Sequence, residues 1–167
     1  MDPVILTLAT PADAAEVAAV RNAAAADLTE RFGNGFWTTT VSDRGVLANL
    51  RQARVYLARM RTPIVVTLSM QTKKPWAIDI SYFTPCKRPV YLTNMAVAPG
   101  FQRQGIGRRS LDGAIAIARE WPGDAIRLDA YDAPAGAGDF YLRCGFREVG
   151  HRVYRKTPLR YFEWIIS

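Results

Sequence analysis

The 167 residues predict an α/β (α+β) fold: a central mixed, mostly antiparallel twisted sheet of about seven strands flanked by helices. Three observations carry that expectation. Seven short runs are β-branched, aromatic or alternating and end in turn residues. Two long stretches space their apolar residues for a helix instead. Around residues 90–130 a strand, a glycine-bearing loop, a helix and a second strand follow one another, which makes a parallel βαβ unit in a chain whose other turns are short.

Val4–Leu8 reads as the first strand. Thr10-Pro11 is an N-cap followed by proline at the first helical position, and Asp13 lies in the first turn. Ala14, Val17, Ala18 and Ala24 then recur at helical spacing, so a helix runs to Asp27 or beyond, until Gly33-Asn34-Gly35 breaks it. A shorter helix spans Ser42, its cap, to Arg51. Arg54–Met60 and Ile64–Leu68 form a hairpin across Arg61-Thr62-Pro63. The aromatic, proline-punctuated segment Lys73–Pro85 separates them from the strand Val90–Val97. A helix from Gly105 to Arg119 buries Leu111, Ala114, Ile115 and Ala118. Ala125–Ala130 is the next strand. A short helix over Ala135–Arg143 stops at Gly145, a C′ glycine, and strands at Phe146–Tyr154 and Leu159–Ile165 close the chain.

The length suits one domain, 1–167, without repeats or linkers. No stretch reaches the roughly 18 apolar residues of a membrane helix, and the opening Met1-Asp2-Pro3-Val4 lacks a basic n-region, so a cytoplasmic protein with no membrane partner is expected. Cys86 and Cys144 form neither a CxxC pair nor a disulfide framework, in keeping with a reducing compartment. His151 is the sole histidine and lies in a strand-like run. A metal site or a catalytic triad built on any other histidine is excluded, and no metal is expected. The net charge is +7, and 18 of the 22 basic residues are arginine, the side chain suited to phosphates and carboxylates. These residues form no block of the kind nucleic-acid tails carry, which argues against a nucleic-acid partner.

The chemistry concentrates in Asn94–Arg109, where a strand gives way to Gln102-Arg103-Gln104-Gly105-Ile106-Gly107 at the mouth of a helix. Glycines there allow close backbone approach, and a helix N-terminus offers N–H groups and positive potential. Arg103, Arg108 and Arg109 add fixed charge, so a pyrophosphate-like anion is the natural ligand. A Walker A loop would need Gly-Lys-Ser/Thr. A dinucleotide fingerprint fits poorly despite Asp129 about 20 residues on, because Ser110 stands at the third glycine and the turn after Val97 is long.

The hexamer Gln102–Gly107 resembles the (Gln/Arg)-x-x-Gly-x-(Gly/Ala) acyl-CoA loop of the GNAT superfamily of N-acetyltransferases without a mismatch. The downstream Phe140-Tyr141-Leu142-Arg143-Cys144-Gly145-Phe146 is similar to that superfamily's Phe-Tyr-x-x-x-Gly-Phe element. The resemblance covers Tyr91–Gly150 and implies the GNAT-like form of the sheet, with acetyl-CoA as co-substrate. It implies that backbone groups of Met95, Ala96 and Val97 pair with pantetheine. The pyrophosphate falls to Gln102, Arg103, Gln104, Gly105, Ile106, Gly107, Arg108 and Arg109. Tyr141 becomes the general acid toward the departing thiolate, a phenol that stays protonated at neutral pH. Pro134 stands where many members carry asparagine, so backbone groups of Tyr131–Gly138 would serve there instead.

The strand Tyr91–Val97 has no carboxylate. Asp79 is the first candidate base and Glu30 the second, with a water chain as the alternative. Trp37, Trp76, Tyr82 and Phe83 either wall an acceptor pocket or belong to the core. The expected activity is direct acetyl transfer to a primary amine in a ternary complex; the competing reading is a non-catalytic acyl-CoA-binding regulatory module. The acceptor is not legible, although +7 disfavours a strongly cationic one. The apolar tail Tyr161–Ile166 permits a homodimer.

Overall fold

The computed structural model describes residues 3–167; the expectation placed on Met1 and Asp2 lies outside them. Contacts group the chain into two compact units, each assembled from separate stretches: one runs up to Gln71 and resumes at Asn94–Ala114, the other comprises Thr72–Thr93 and Ile115–Ser167.

In the first unit, β1 (Thr7–Leu8), β2 (Arg54–Arg59) and β3 (Ile64–Gln71) form an antiparallel ladder. β1 is shorter than its apolar run: only Thr7 and Leu8 pair, opposite Leu57 and Tyr56. Leu6 points at Gly113 instead. β3 is buried along almost its whole length, as a central strand rich in valine and leucine should be. The helix α1 (Ala14–Phe32) follows a tight turn at Pro11–Asp13, where the Asp13 carboxylate accepts the Thr10 N–H at 2.8 Å. It buries Ala14, Val17, Ala18 and Val20. In α2 (Asp43–Gln52), Ser42 caps the Gly45 N–H at 3.1 Å. Asn22 binds the Val41 peptide through both its N–H and C=O at 2.8 Å, fixing the approach to α2 on α1.

In the second unit, β4 (Pro89–Val97, of which Pro89–Thr93 belong here) runs parallel to β5 (Ala125–Tyr131). β5 pairs antiparallel with β7 (Thr157–Ile165), and β7 with β6 (Arg147–Tyr154). The strand order is therefore β1-β2-β3-β4-β5-β7-β6, mixed and mostly antiparallel, with α3 (Ile106–Glu120) as the crossover of the expected βαβ unit. Leu111, Ala114, Ile115 and Ala118 are buried, as the helical spacing required.

Two turns depart from expectation. α4 (Gly138–Arg143) starts three residues late because Ala133–Gly136 closes a turn, with the Gly136 N–H on the Ala133 carbonyl at 2.8 Å. Its end matches: Gly145 sits at φ 93 while its N–H bonds Leu142 and that of Phe146 bonds Tyr141, a Schellman stop. β7 begins two residues early because Arg155 (φ 47) and Lys156 (φ 71) form a two-residue hairpin turn between paired Tyr154 and Thr157.

The segment 73–85 is strapped to the sheet of its own unit. Glu163, fully buried, accepts the Thr84 N–H (2.8 Å) and hydroxyl (2.6 Å), and the Arg127 guanidinium donates to the Thr84 carbonyl (2.8 Å). Tyr161 donates its hydroxyl to the Ala77 carbonyl. Phe83 packs into this core, Tyr82 lies partly exposed against Tyr161 and over Gly150, and Trp76 is 83 % exposed. Tyr161, Phe162 and Glu163 in the tail are buried within the unit.

Candidate active site

In the first unit the site is one continuous strand, loop and helix. Asn94 takes φ 53 inside β4, a conformation asparagine tolerates better than most residues. After it, Met95 and Val97 pack against the cluster of Ala58, Val65, Val66 and Ile106, while Ala96 packs on the opposite cluster around Val17 and Val55. Side chains thus leave on both faces and the strand presents its backbone edge. A turn at Pro99–Phe101 follows, and the Gln102 side-chain amide donates back to the Val97 carbonyl at 3.1 Å. Arg103 (φ 62) and Gly105 (φ 77) both turn the chain through the left-handed region.

At the start of α3 only Ile106 is fully buried, an apolar anchor. Arg103, Gln104, Gly105 and Arg108 are exposed, and Gly107 is half-buried. Arg109 bends back, its guanidinium donating to the carbonyls of Gln104 and Gly105 at 3.2 Å each. In a trans peptide the N–H points opposite the C=O, so the N–H groups of Gly105 and Ile106 are aimed away from Arg109. The first turn of α3 adds N–H groups with no carbonyl one turn behind them. The loop thus turns backbone N–H groups outward, and Arg109 ties down the carbonyls of Gln104 and Gly105.

In the second unit, Tyr141 sits on α4 among the rings of Phe140, Phe146 and Phe162, at centroid distances of 5.3, 5.6 and 5.9 Å. Burial, and next the negative charge of Asp129, push its phenol above the ordinary tyrosine range. Asp129 itself, on β5 opposite Tyr161, is pushed up to about 6 by burial. It lies two residues beyond Arg127, where the β4–β5 ladder ends at the Tyr91/Arg127 pair although both strands continue in this unit.

Asp79 lies in the same unit but is otherwise engaged. Its carboxylate accepts the Ser81 hydroxyl (2.7 Å) and N–H (3.0 Å) and pairs with Arg152. The Ser81 bonds first, then the cations of Arg152 and Lys74, hold it below the usual carboxylate range. Glu30 is exposed on α1. His151 is also exposed, 3.6 Å from Asp132. Asp129 is the residue that sequence reasoning passed over as a functional group: its one signal is an acid between the apolar Leu128 and Ala130 in a strand, and burial gives it meaning only once the strand is folded. Cys86 and Cys144 are not joined in a disulfide. Among the described residues no group of three or more His, Cys, Asp or Glu is arranged to hold a metal, and no helix is long and apolar enough to cross a membrane.

No curated protein matches the chain in sequence. Its fold is widely shared with solved structures. One is yncA from Salmonella typhimurium, solved with its cofactor acetyl-CoA (18% identity, 99% of this chain and 95% of that one, TM-score 0.69). Another is the ribosomal-protein-S18-alanine N-acetyltransferase of Escherichia coli (17%, 98% and 94%, 0.72). A third is a GNAT-family acetyltransferase of Streptococcus agalactiae (12%, 98% and 96%, 0.79). Residues 70–146, which hold the loop, Asp129 and Tyr141, match the acetyltransferase (GNAT) family model. That stretch is similar in sequence to the family's model, and the chain as a whole shares the fold of these solved structures.

Proposed function

We propose that this protein is an acetyl-CoA-dependent N-acetyltransferase that acylates a primary amine by direct transfer, in the cytoplasm. The observation that carries the reading is the cradle at Gln102–Arg109: a left-handed Arg103 and Gly105 leading to the buried Ile106, with N–H groups outward and arginines beside them. It fits a pyrophosphate, and the backbone edge of Met95–Val97 fits an extended amide-bearing arm laid on it as an added strand. Acetyl-CoA supplies the activated acyl group as a thioester. An N–H of this edge would polarise the thioester carbonyl.

Proton management falls to the second unit. Tyr141, kept neutral by burial, is a donor toward the thiolate. Of the two carboxyls, Asp79 is the weaker proton acceptor, because Ser81 and Arg152 already stabilise its ionised form. Asp129, near 6, is ionised at neutral pH yet basic enough to receive the ammonium proton, directly or through water. The two groups are coupled. Asp129 is one cause of the high Tyr141 pKa, so a proton taken up by Asp129 makes the phenol a better acid when the thiolate leaves.

The alternative, an acyl-CoA sensor without catalysis, has no use for a buried phenol and carboxyl tuned against each other. The test is release of CoA thiol with a panel of primary amines. Wild type should turn over, and Tyr141→Phe should lose about 10²–10³-fold in kcat with acetyl-CoA affinity retained. Equal turnover by the two proteins would remove Tyr141 from the chemistry. Tight binding of acetyl-CoA with no turnover on any amine would favour the sensor.

A further inference from the structure

The helix α1 and its approach carry several charges, and most are neutralised by neighbours. Asp13 and Glu16 both bind Arg59, at 3.2 and 2.9 Å, and Asp27 pairs with Arg31 at 2.9 Å. Arg21 has no acid. Among the described residues its one hydrogen bond is from Nη2 to the side-chain oxygen of Asn94, a neutral acceptor, at 3.1 Å. It is half-buried, and burial alone lowers its pKa, with no carboxylate acting in the other direction. A guanidinium offers five N–H donors in a planar fork, so most of this one is unspent.

Its position gives that surplus a use. Asn94 is the left-handed residue of β4, immediately before the Met95–Val97 edge, so Arg21 is held beside the strand edge proposed above to hold the acyl arm. A cation withdrawn from water and lacking a counter-ion is best completed by a ligand that brings the missing charge, and a carboxylate matches the fork in geometry as well as sign.

We propose that Arg21 binds a carboxylate of the acceptor, so that the substrate is an amine that also carries a carboxylate group. The inference rests on the N-acetyltransferase reading. It agrees with a protein of net charge +7, which attracts anionic rather than cationic amines. A free amino acid and a peptide with an acidic residue beside its N-terminus offer the same chemistry.

The test measures CoA release with L-amino acids against their matched amides, and with peptide amides carrying Glu against Gln at the second position. Wild type should prefer the carboxylate member by about ten- to hundredfold in kcat/KM, in the arm that represents the true source. Arg21→Gln should erase that preference through KM while leaving the amide rates and the acetyl-CoA affinity unchanged, and Arg21→Lys should keep part of it. Equal rates for acids and amides in wild type would overturn the proposal. So would an Arg21→Gln variant that loses both members equally, or one that loses acetyl-CoA affinity with its preference intact, because Arg21 would then serve structure or the co-substrate. If acetyl-CoA binds but no amine in either arm is acetylated, the transferase reading itself falls, and this inference with it.

Discussion

The loop at Gln102–Arg109 and the Asp129–Tyr141 pair represent two ways in which a chain makes chemistry. In the proposed function the loop would work through peptide N–H groups, and its side chains shape them: Gln102 ties the loop to Val97, Arg109 binds the carbonyls of Gln104 and Gly105, and Ile106 anchors the helix. The pair would instead work through side chains, whose ordinary acidities burial changes. Backbone sites need particular residue types at fixed spacing. Burial sites need only that an ordinary Asp or Tyr land in an apolar place.

Asp129 offers a direct way to break this contrast. If its carboxyl is the proton acceptor, Asp129→Asn should lower kcat/KM by about 10–100-fold at neutral pH and abolish the acid limb expected near pH 6. Stability should move the opposite way. A folded-state pKa near 6 lies above the unfolded value near 4, so between those values the folded protein holds a proton that the unfolded chain releases. Native stability therefore falls as pH rises from about 4 to 6, by on the order of 1–3 kcal/mol, and stays lower above that. Urea unfolding at pH 7 should find Asp129→Asn more stable than wild type, with the difference closing by pH 4. A variant both inactive and less stable at pH 7 would make Asp129 structural.

Two glycines sharpen the comparison further, because each region needs one for a different reason. A Cβ on Gly138 would lie 2.4 Å from Arg160 Nη1 and 2.7 Å from its Cζ, in the packing under α4. Gly138→Ala should cost about 1–3 kcal/mol in denaturant titration and leave acetyl-CoA affinity near wild type. At Gly105 there is space, the nearest atom being Arg109 Nε at 3.9 Å, but φ is 77. Gly105→Ala should cost only about 1 kcal/mol, seen as a small loss of stability or affinity without any clash.

Legibility followed the same division. The loop, the crossover helix and the Gly145 stop were readable because each rests on local chemistry: glycine at positive φ, apolar residues at helical spacing, N–H groups at a helix start. The hairpin at Arg155-Lys156 was not, since those residues adopt the left-handed region without the Asn or Gly that announces it. The late start of α4 was not legible either, because the turn closed by Ala133–Gly136 takes up alanines whose composition equally suits a helix. Asp79 looked available in the sequence because its partners Ser81 and Arg152 say nothing until 152 folds back on 79. Asp129 was legible only as a residue out of place, and Arg21 as one arginine among eighteen.

Everything proposed for this protein depends on the Gln102–Arg109 loop binding acetyl-CoA through its backbone. Calorimetric titration of acetyl-CoA into wild type and Gly107→Glu tests it most directly, since the substitution sets a carboxylate in the first turn of α3 where the pyrophosphate would lie. Wild type should bind saturably in the micromolar range, and the folded variant should lose more than about a hundredfold in affinity. Absence of binding in wild type, or equal binding by both proteins, would contradict it.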